Sequence, residues 1–569
     1  MSFIASNFNP PPTLDTQPAP CSQADLANLS APELINRLKN SDYACTELIS
    51  AALLPKAEAA VVTRLLEMAQ TGRTLARRNA LRVVGRFAER PENEPANRAV
   101  LSQRRDTPRD VSHRVVSLND PLSALYAQLN VEVNEDVLNE LLWILDAFFH
   151  PAYGMQAYLE NASMTKTNSS RLRFRAIAAY ARLMFARPQL SRHELDFVLM
   201  CLHSDDFWVR AEAAFIFEQL RPEQTSPDER NAIKQALQYA WRNEKELTAR
   251  QYIARAIDKF NSDRALSGQL RVECESKWLP NKLRNNDITV CSALPSADAQ
   301  RFIHLMQNTR QAFFELMGSE FSTPVTDDPN AQITLMLFEN KVIYADYMNA
   351  FVGYGAQAGG LYVEREGRLY TFMRTRAEST YTVEQLIQHE FGHYLQGRYI
   401  YPHLWGDSGY HDEPKGWADE GLAEYLAGLQ FDSAGRCCET LRPEHVNHMC
   451  SVGNELDLHS LICRREGYDQ PGTFEYAGAW SFMYYLCTYQ PNVVRRIFRA
   501  MRNGAYRDED FDRIAGVPLA QLQTHWRVIM KDWAGDDHAI AAQSPVISAA
   551  RSAWLDQHDA PTDASVRVV

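Results

Sequence analysis

The sequence predicts a mostly α-helical chain whose second part is α+β, and three observations carry this. From about residue 24 to 262, apolar residues recur at helical spacing almost without interruption. The first convincing strand, Gln332–Phe338, comes only after that. Between them, about 262–295, lies a polar stretch rich in turn residues, including Asn261-Ser262-Asp263 and Pro280-Asn281. At 569 residues the chain is too long for one ordinary core. With 45% hydrophobic and 23% charged residues it is neither mostly disordered nor collagen-like.

Residues 1–20 are Pro-rich (Pro10, Pro11, Pro12, Pro18, Pro20) and read as a flexible lead. Residues 21–275 read as a helical domain. Leu65, Leu66, Met68 and Ala69 fit one helix, and Ala76, Ala80, Val83, Val84 and Phe87 the next. Leu141, Ile144, Leu145 and Phe148 fit another, as do Ala176, Ile177, Tyr180, Leu183 and Met184. Short helices recur in pairs over 192–220 and 228–260, and segments such as Asp205–Ala214 resemble HEAT-type repeats, so a HEAT-like array is expected. Residues 280–287 read as loop, and 297–317 as helix. Leu361–Glu364 and Arg368–Phe372 read as a hairpin turning at Glu366-Gly367. The second domain is therefore expected over 280–545. Its strands and one motif-bearing helix fall within 280–400, and 401–545 is helical; 546–569 is a tail.

A formal net charge of -12 gives no reason to seek nucleic acid or an anionic membrane. No run of about 18 apolar residues is present to span a bilayer. The start, Met1–Asn7, shows no signal-peptide pattern. Yet the ten cysteines include no Cys-x-x-Cys pair, and their even number suits disulfides in an oxidising compartment. Cys274 with Cys291, and the cluster Cys437, Cys438, Cys450 and Cys463, are the expected local pairings. A secreted protein, read here without its targeting segment, is the expectation.

The informative stretch runs from Thr382 to Gly397. Thr382 with Gln385 makes a capping box, and Gly397 reads as the stop. On the helix between them His389 and His393 are four apart, share a face and can grip one zinc ion. Glu390 is placed to act as general base on a zinc-polarised water. A third histidine at the metzincin spacing is missing, because Gln396 and Tyr399 hold those places. The next candidates, Glu420 and Glu424, lie one turn apart on a second helix. One can bind the metal while the other hydrogen-bonds a histidine. Gly421, Ala423 and Gly428 are small enough to let helices approach closely.

His389–Tyr399 and Trp417–Tyr425 resemble the bacterial collagenases of peptidase family M9, as do Gly359–Glu364 and Glu378–Glu384. The resemblance implies a HEAT-like activator domain followed by a gluzincin-type peptidase domain. It implies His389, His393 and Glu420 as zinc ligands, Glu390 as general base and Glu424 as the carboxylate that supports a histidine. It further implies Gly359 and Gly360 on the strand lining the substrate cleft, and Tyr476 as oxyanion donor. Glu364 would ligate calcium, with carbonyls near Ile400 and Tyr401. The implied substrate is collagen or gelatin, and the implied state a monomer. Two other readings stand beside it. One is a zinc protease of gelatin, peptides or other proteins that spares native collagen. The other is a helical scaffold with an inactive metal site, for which Glu390 would be superfluous.

Overall fold

Helices fill the first half of the chain where apolar spacing places them, and capping side chains mark their starts. The computed structural model describes most of residues 29–88, 132–147, 155–261, 265–325, 330–402, 415–463 and 474–535. The expected lead over 1–20 and tail over 546–569 lie outside the described residues. Two compact units result: residues 1–273 with 346–356, and residues 274–345 with 357–569.

In the first unit the helices are α1 (Ala31–Arg37), α2 (Tyr43–Leu53), α3 (Ala59–Thr71), α4 (Thr74–Ala88), α5 (Glu135–Ala147) and α6 (Met155–Met164). They continue as α7 (Ser170–Ala186), α8 (Arg192–Cys201), α9 (Phe207–Gln219), α10 (Pro227–Asn243) and α11 (Leu247–Asn261), and α12 (Ala265–Trp278) leads into the second unit. Ser169 and Asp206 cap α7 and α9 by accepting from first-turn amides. Ser191 with Glu194, and Ser226 with Glu229, form capping boxes on α8 and α10. Helices α4, α5, α7, α9 and α11 each pack on the next in that row, while α3, α6, α8 and α10 each flank one of them. Leu65, Ala80, Val83, Val84, Leu141, Ala176, Ile177, Tyr180 and Met184 are fully buried between them, as their spacing predicts. Residues 346–356 belong to this unit: their turn over Met348–Val352 packs on α11, and Arg271 Nε donates to Tyr347 Oη at 3.0 Å.

The second unit opens with β1 (Asn281–Asn285) and β2 (Ile288–Ser292), a hairpin pairing Asn285 with Ile288. Residues 280–287 are thus a strand and turn, not the expected loop. Strand β1 is polar and largely exposed at Asn281, Lys282 and Arg284, so it carries no apolar alternation to detect. The available signal was Asn286, which takes φ 54 in the turn, a conformation asparagine tolerates. Helix α13 (Ser296–Met317) covers β1 and β2. Next come β3 (Ile333–Phe338), α14 (Lys341–Tyr347), β4 (Gly360–Val363) and β5 (Arg368–Phe372). The sheet order is β1-β2-β3-β5-β4, with β2, β3 and β5 parallel and the end strands antiparallel. The β4–β5 hairpin is as expected, and Gly367 takes φ 60 at its turn.

Helix α15 (Val383–Tyr399) packs across β4 and β5. Thr382 and Gln385 form the expected box. The helix runs two residues past Gly397, which is therefore no stop. Its missing Cβ leaves the space that Glu364 Oε1 occupies. Helix α16 (Gly416–Ala427) lies on α15, with a Cβ on Gly392 falling 3.1 Å from Ala423 Cα. The helices α17 (Pro443–Val452), α18 (Leu458–Ile462), α19 (Phe474–Tyr489), α20 (Pro491–Arg502), α21 (Phe511–Ala515) and α22 (Leu519–Gly535) complete the unit. A two-residue ladder, β6 (Gln430–Phe431) with β7 (Cys437–Cys438), interrupts the helical part. Tyr484 and Tyr485 lie in the core with Trp417, Trp480 and Trp526. Among the described residues no helix is long and apolar enough to cross a membrane.

At Gly421 α16 lies tight against α19: a Cβ there would sit 2.7 Å from the Ala479 carbonyl oxygen. Backbone cannot step aside as a flexible side chain can. Gly421→Val is expected to destabilise the second unit by about 3 kcal/mol, read as a lowered denaturant midpoint at unchanged slope.

Two of the cysteines expected to pair, Cys291 and Cys450, form no disulfide. Cys291 has no disulfide; it sits on β2 opposite Lys282 and beside Met336. Cys450, on α17, is exposed and unbridged. Cys45 is disulfide-bonded.

Candidate metal centre

His389 and His393, the seventh and eleventh residues after the Thr382 cap, share one face of α15, and α16 supplies the facing carboxylates. His389 Nε2 and His393 Nε2 lie 3.2 Å apart. Glu420 Oε2 lies 3.4 Å from the first and 3.6 Å from the second. A tetrahedral ion about 2.0–2.1 Å from each donor needs donors about 3.3–3.4 Å apart, so this triangle fits one zinc ion. Among the described residues it is the one group of three such donors within reach of a common ion. Glu420 Oε2 is buried and accepts no hydrogen bond, an atom left to meet a cation.

The electrostatics agree. Burial works against the charge on Glu420, but His393 and His389 outweigh it and hold the carboxyl down at about 2. Burial likewise works against charge on His393, yet Asp419 and Glu420 raise it well above its ordinary value. The carboxylates thus favour positive charge at this spot, whether carried by a proton or by a metal.

Each of the two histidines has a carboxylate beside its Nδ1. Asp419 Oδ1 lies 3.0 Å from His393 Nδ1, and Gln396 Nε2 donates to the Asp419 carbonyl at 2.9 Å. Asp419 was not anticipated; its signal is adjacency to Glu420 in the first turn of α16. Glu424 Oε1 lies 3.3 Å from His389 Nδ1 and accepts from Tyr381 Oη at 3.0 Å. Its Oε2 takes Arg442 Nη1 and, at 2.9 Å, His445 Nε2. Glu424 is therefore buried and pinned, one turn beyond Glu420 and turned to a ring nitrogen that does not face the triangle. Glu424→Ala is expected to keep the site but weaken zinc binding by about 10–100-fold, measured by competition with a chromophoric chelator.

Glu390 lies beside the triangle rather than in it. Its Oε2 accepts the Tyr362 amide of β4 at 2.8 Å. A Cβ on Gly360 would lie 3.0 Å from Glu390 Cγ, and one on Gly359 would lie 2.8 Å from Arg374 Nη1. The glycine pair therefore lets β4 approach α15. Arg374 and Thr371 Oγ1 donate to the Gly359 carbonyl and fix the strand's start. Tyr476, on α19, is buried. Burial and the charges of Glu420 and Glu390 push its phenol well above its usual range, so it stays a proton donor. Glu364 stands at the turn of the β4–β5 hairpin, against Gly397 near the end of α15, and is not part of the metal triangle.

The family model for peptidase M9, described as collagenase, matches residues 197–517, more than half of the chain. It begins in α8, so it takes in the last helices of the first unit as well as the sheet and the metal triangle. Collagenase ColQ1 of Bacillus cereus is 47% identical over 167 residues, 28% of this chain and 17% of that protein. Collagenase ColA of Bacillus cereus is 40% identical over 167 residues, again 28% of this chain and 17% of its own length. Collagenase ColA of Clostridium perfringens is 28% identical over 166 residues, 28% of this chain and 15% of that protein. The matched stretch is thus less than a fifth of each of these relatives.

Proposed function

Since the chain belongs to the M9 peptidase family of collagenase metalloproteases, we propose that it is a secreted zinc endopeptidase that hydrolyses peptide bonds of collagen. The observation that carries the reading is the triangle of His389, His393 and Glu420, matched to one tetrahedral ion, with Glu390 against the edge strand beside it.

When bound, zinc supplies a Lewis acid that acidifies water and polarises a peptide carbonyl. The other roles belong to the chain. His389 and His393 present Nε2 to the ion, and Glu424 and Asp419 hold their rings from the Nδ1 side. Glu390 takes the proton of the attacking water on its carboxylate and returns it to the leaving amine. Tyr476 donates its phenol proton in a hydrogen bond to the carbonyl oxygen as charge develops there. Strand β4 offers a sheet edge along which an extended peptide can lie. The row of helices in the first unit is read as the HEAT-like activator part, which engages the intact triple helix. Calcium at Glu364 completes the proposal; it should raise the melting temperature of the wild type and not that of Glu364→Gln.

The test is hydrolysis of native triple-helical collagen and of gelatin, each with zinc present and with a chelator. Chelator-sensitive cleavage of both supports the full reading. Cleavage of gelatin alone would restrict it to a protease of unfolded chains. Absence of any hydrolysis by the zinc-loaded protein would overturn it.

A further inference from the structure

Glu424 is held in a way its own helix does not explain. It is almost wholly buried, and so is Arg442, at 1% side-chain exposure against 2% for Glu424. Arg442 stands just ahead of α17, 18 residues on in sequence. Its guanidinium is divided. Nη1 goes to Glu424 Oε2, while Nε and Nη2 go to Glu444 Oε1 at 2.9 and 2.8 Å. The same guanidinium lies over the Tyr381 ring, 4.3 Å from its centroid. His445 Nε2 also meets Glu424 Oε2, and burial together with the Arg442 charge brings that imidazole down to about 3. His445 is thus a neutral partner, and Arg442 is the cation that faces this carboxylate.

The two oxygens of Glu424 are therefore sorted. Oε2 is taken from the α17 side by Arg442 and His445. Oε1 accepts from the Tyr381 hydroxyl and lies 3.3 Å from His389 Nδ1, a nitrogen that makes no hydrogen bond in this arrangement. A carboxylate free to rotate could offer His389 either oxygen at varied distance and angle. One fixed at Oε2 can offer only Oε1. An imidazole that donates from Nδ1 presents the Nε2 lone pair on its far side, toward Glu420 and His393.

We propose that Arg442, assisted by His445, is a positioning residue for the metal centre: by holding Oε2 of Glu424 it fixes Oε1 against His389 Nδ1, and so sets the ring plane and tautomer in which His389 meets the ion. The inference rests on the reading of His389, His393 and Glu420 as the zinc ligands. A purely structural Arg442 would stabilise the loop before α17 and leave metal affinity alone.

The experiment is a double-substitution cycle in the full chain, read by chelator competition for zinc, by the visible spectrum of the cobalt(II) form and by the melting temperature of the metal-free protein. Arg442→Met is expected to weaken zinc binding by about 10–100-fold, as Glu424→Gln should. Together they should cost no more than the larger single effect, because the arginine acts through the carboxylate. Arg442→Lys keeps the charge but not the fork. It is expected to keep the wild-type melting temperature, lose several-fold in affinity and shift the cobalt bands. Should Arg442→Met not fold, the lysine variant decides alone. Wild-type affinity and spectrum in the lysine variant, or fully additive losses in the cycle, would overturn the proposal. The failure of the underlying reading looks different: His389→Ala would then bind zinc as the wild type does.

Discussion

Glu390→Ala is expected to retain one zinc per chain and to lose at least about 10²–10⁴-fold in kcat on a short peptide, the usual contribution of a positioned general acid–base. The carboxylate stands outside the ligand triangle, so its removal leaves all three donors in place. On the proposed mechanism, what goes is the group that accepts a proton from water and delivers it to the amine, two steps for which neither Glu420 nor Glu424 is spare. Glu420 belongs to the triangle, and Glu424 is pinned behind His389 by Arg442, His445 and Tyr381. Glu390→Gln is the stricter variant. Its amide oxygen can still accept the Tyr362 N–H that Glu390 Oε2 accepts at 2.8 Å, so β4 keeps its anchor while the base is lost. Metal content by atomic absorption and turnover on one peptide settle the matter together. A zinc-free Glu390→Gln, or one with near wild-type turnover, would remove Glu390 from the role.

Glu420→Ala should lose zinc outright on dialysis, an effect larger than the about 10–100-fold expected for Glu424→Ala. Two imidazoles four residues apart cannot close a tetrahedral site, and the missing oxygen is the one 3.4 and 3.6 Å from their Nε2 atoms. The loss also changes charge. Without Glu420, the metal faces Asp419 and Glu424 only through the rings that separate it from them. Isothermal titration of the metal-free variants with zinc gives both numbers. If Glu424→Ala empties the site and Glu420→Ala does not, the two glutamates have exchanged roles.

The grouping of His389, His393 and Glu420 was legible because its parts are local. The His389–His393 spacing, the Thr382 cap and the Glu420–Glu424 turn each lie within one helix, where periodicity fixes which side chains share a face. Glu420 and Glu424 could not be told apart by that periodicity. Their difference lies in what surrounds them: one meets two Nε2 atoms, the other an arginine and a histidine from a distant loop and helix. Tyr381, Arg442 and His445 left no local signal, since 43, 18 and 21 residues separate them from Glu424. Gly397 misled for a related reason. It reads as a helix stop, but the helix continues, and what needs the glycine is the carboxylate of Glu364 from another element. Strand β1 was missed because a polar edge strand owes its existence to its neighbour's hydrogen bonds rather than to its own apolar pattern.

Residues 346–356 leave the second unit, pack on α11 and return just ahead of Gly359. The backbone therefore passes between the units at 273–274, 345–346 and 356–357. A fragment begun at residue 280 and ended at 545 would carry the Met348–Val352 turn stripped of α11 and Tyr347 stripped of Arg271. Buried residues Tyr347, Met348 and Ala350 would then meet water a few residues before the strand that contacts Glu390. Such a fragment should keep its metal triangle yet melt earlier than the whole chain.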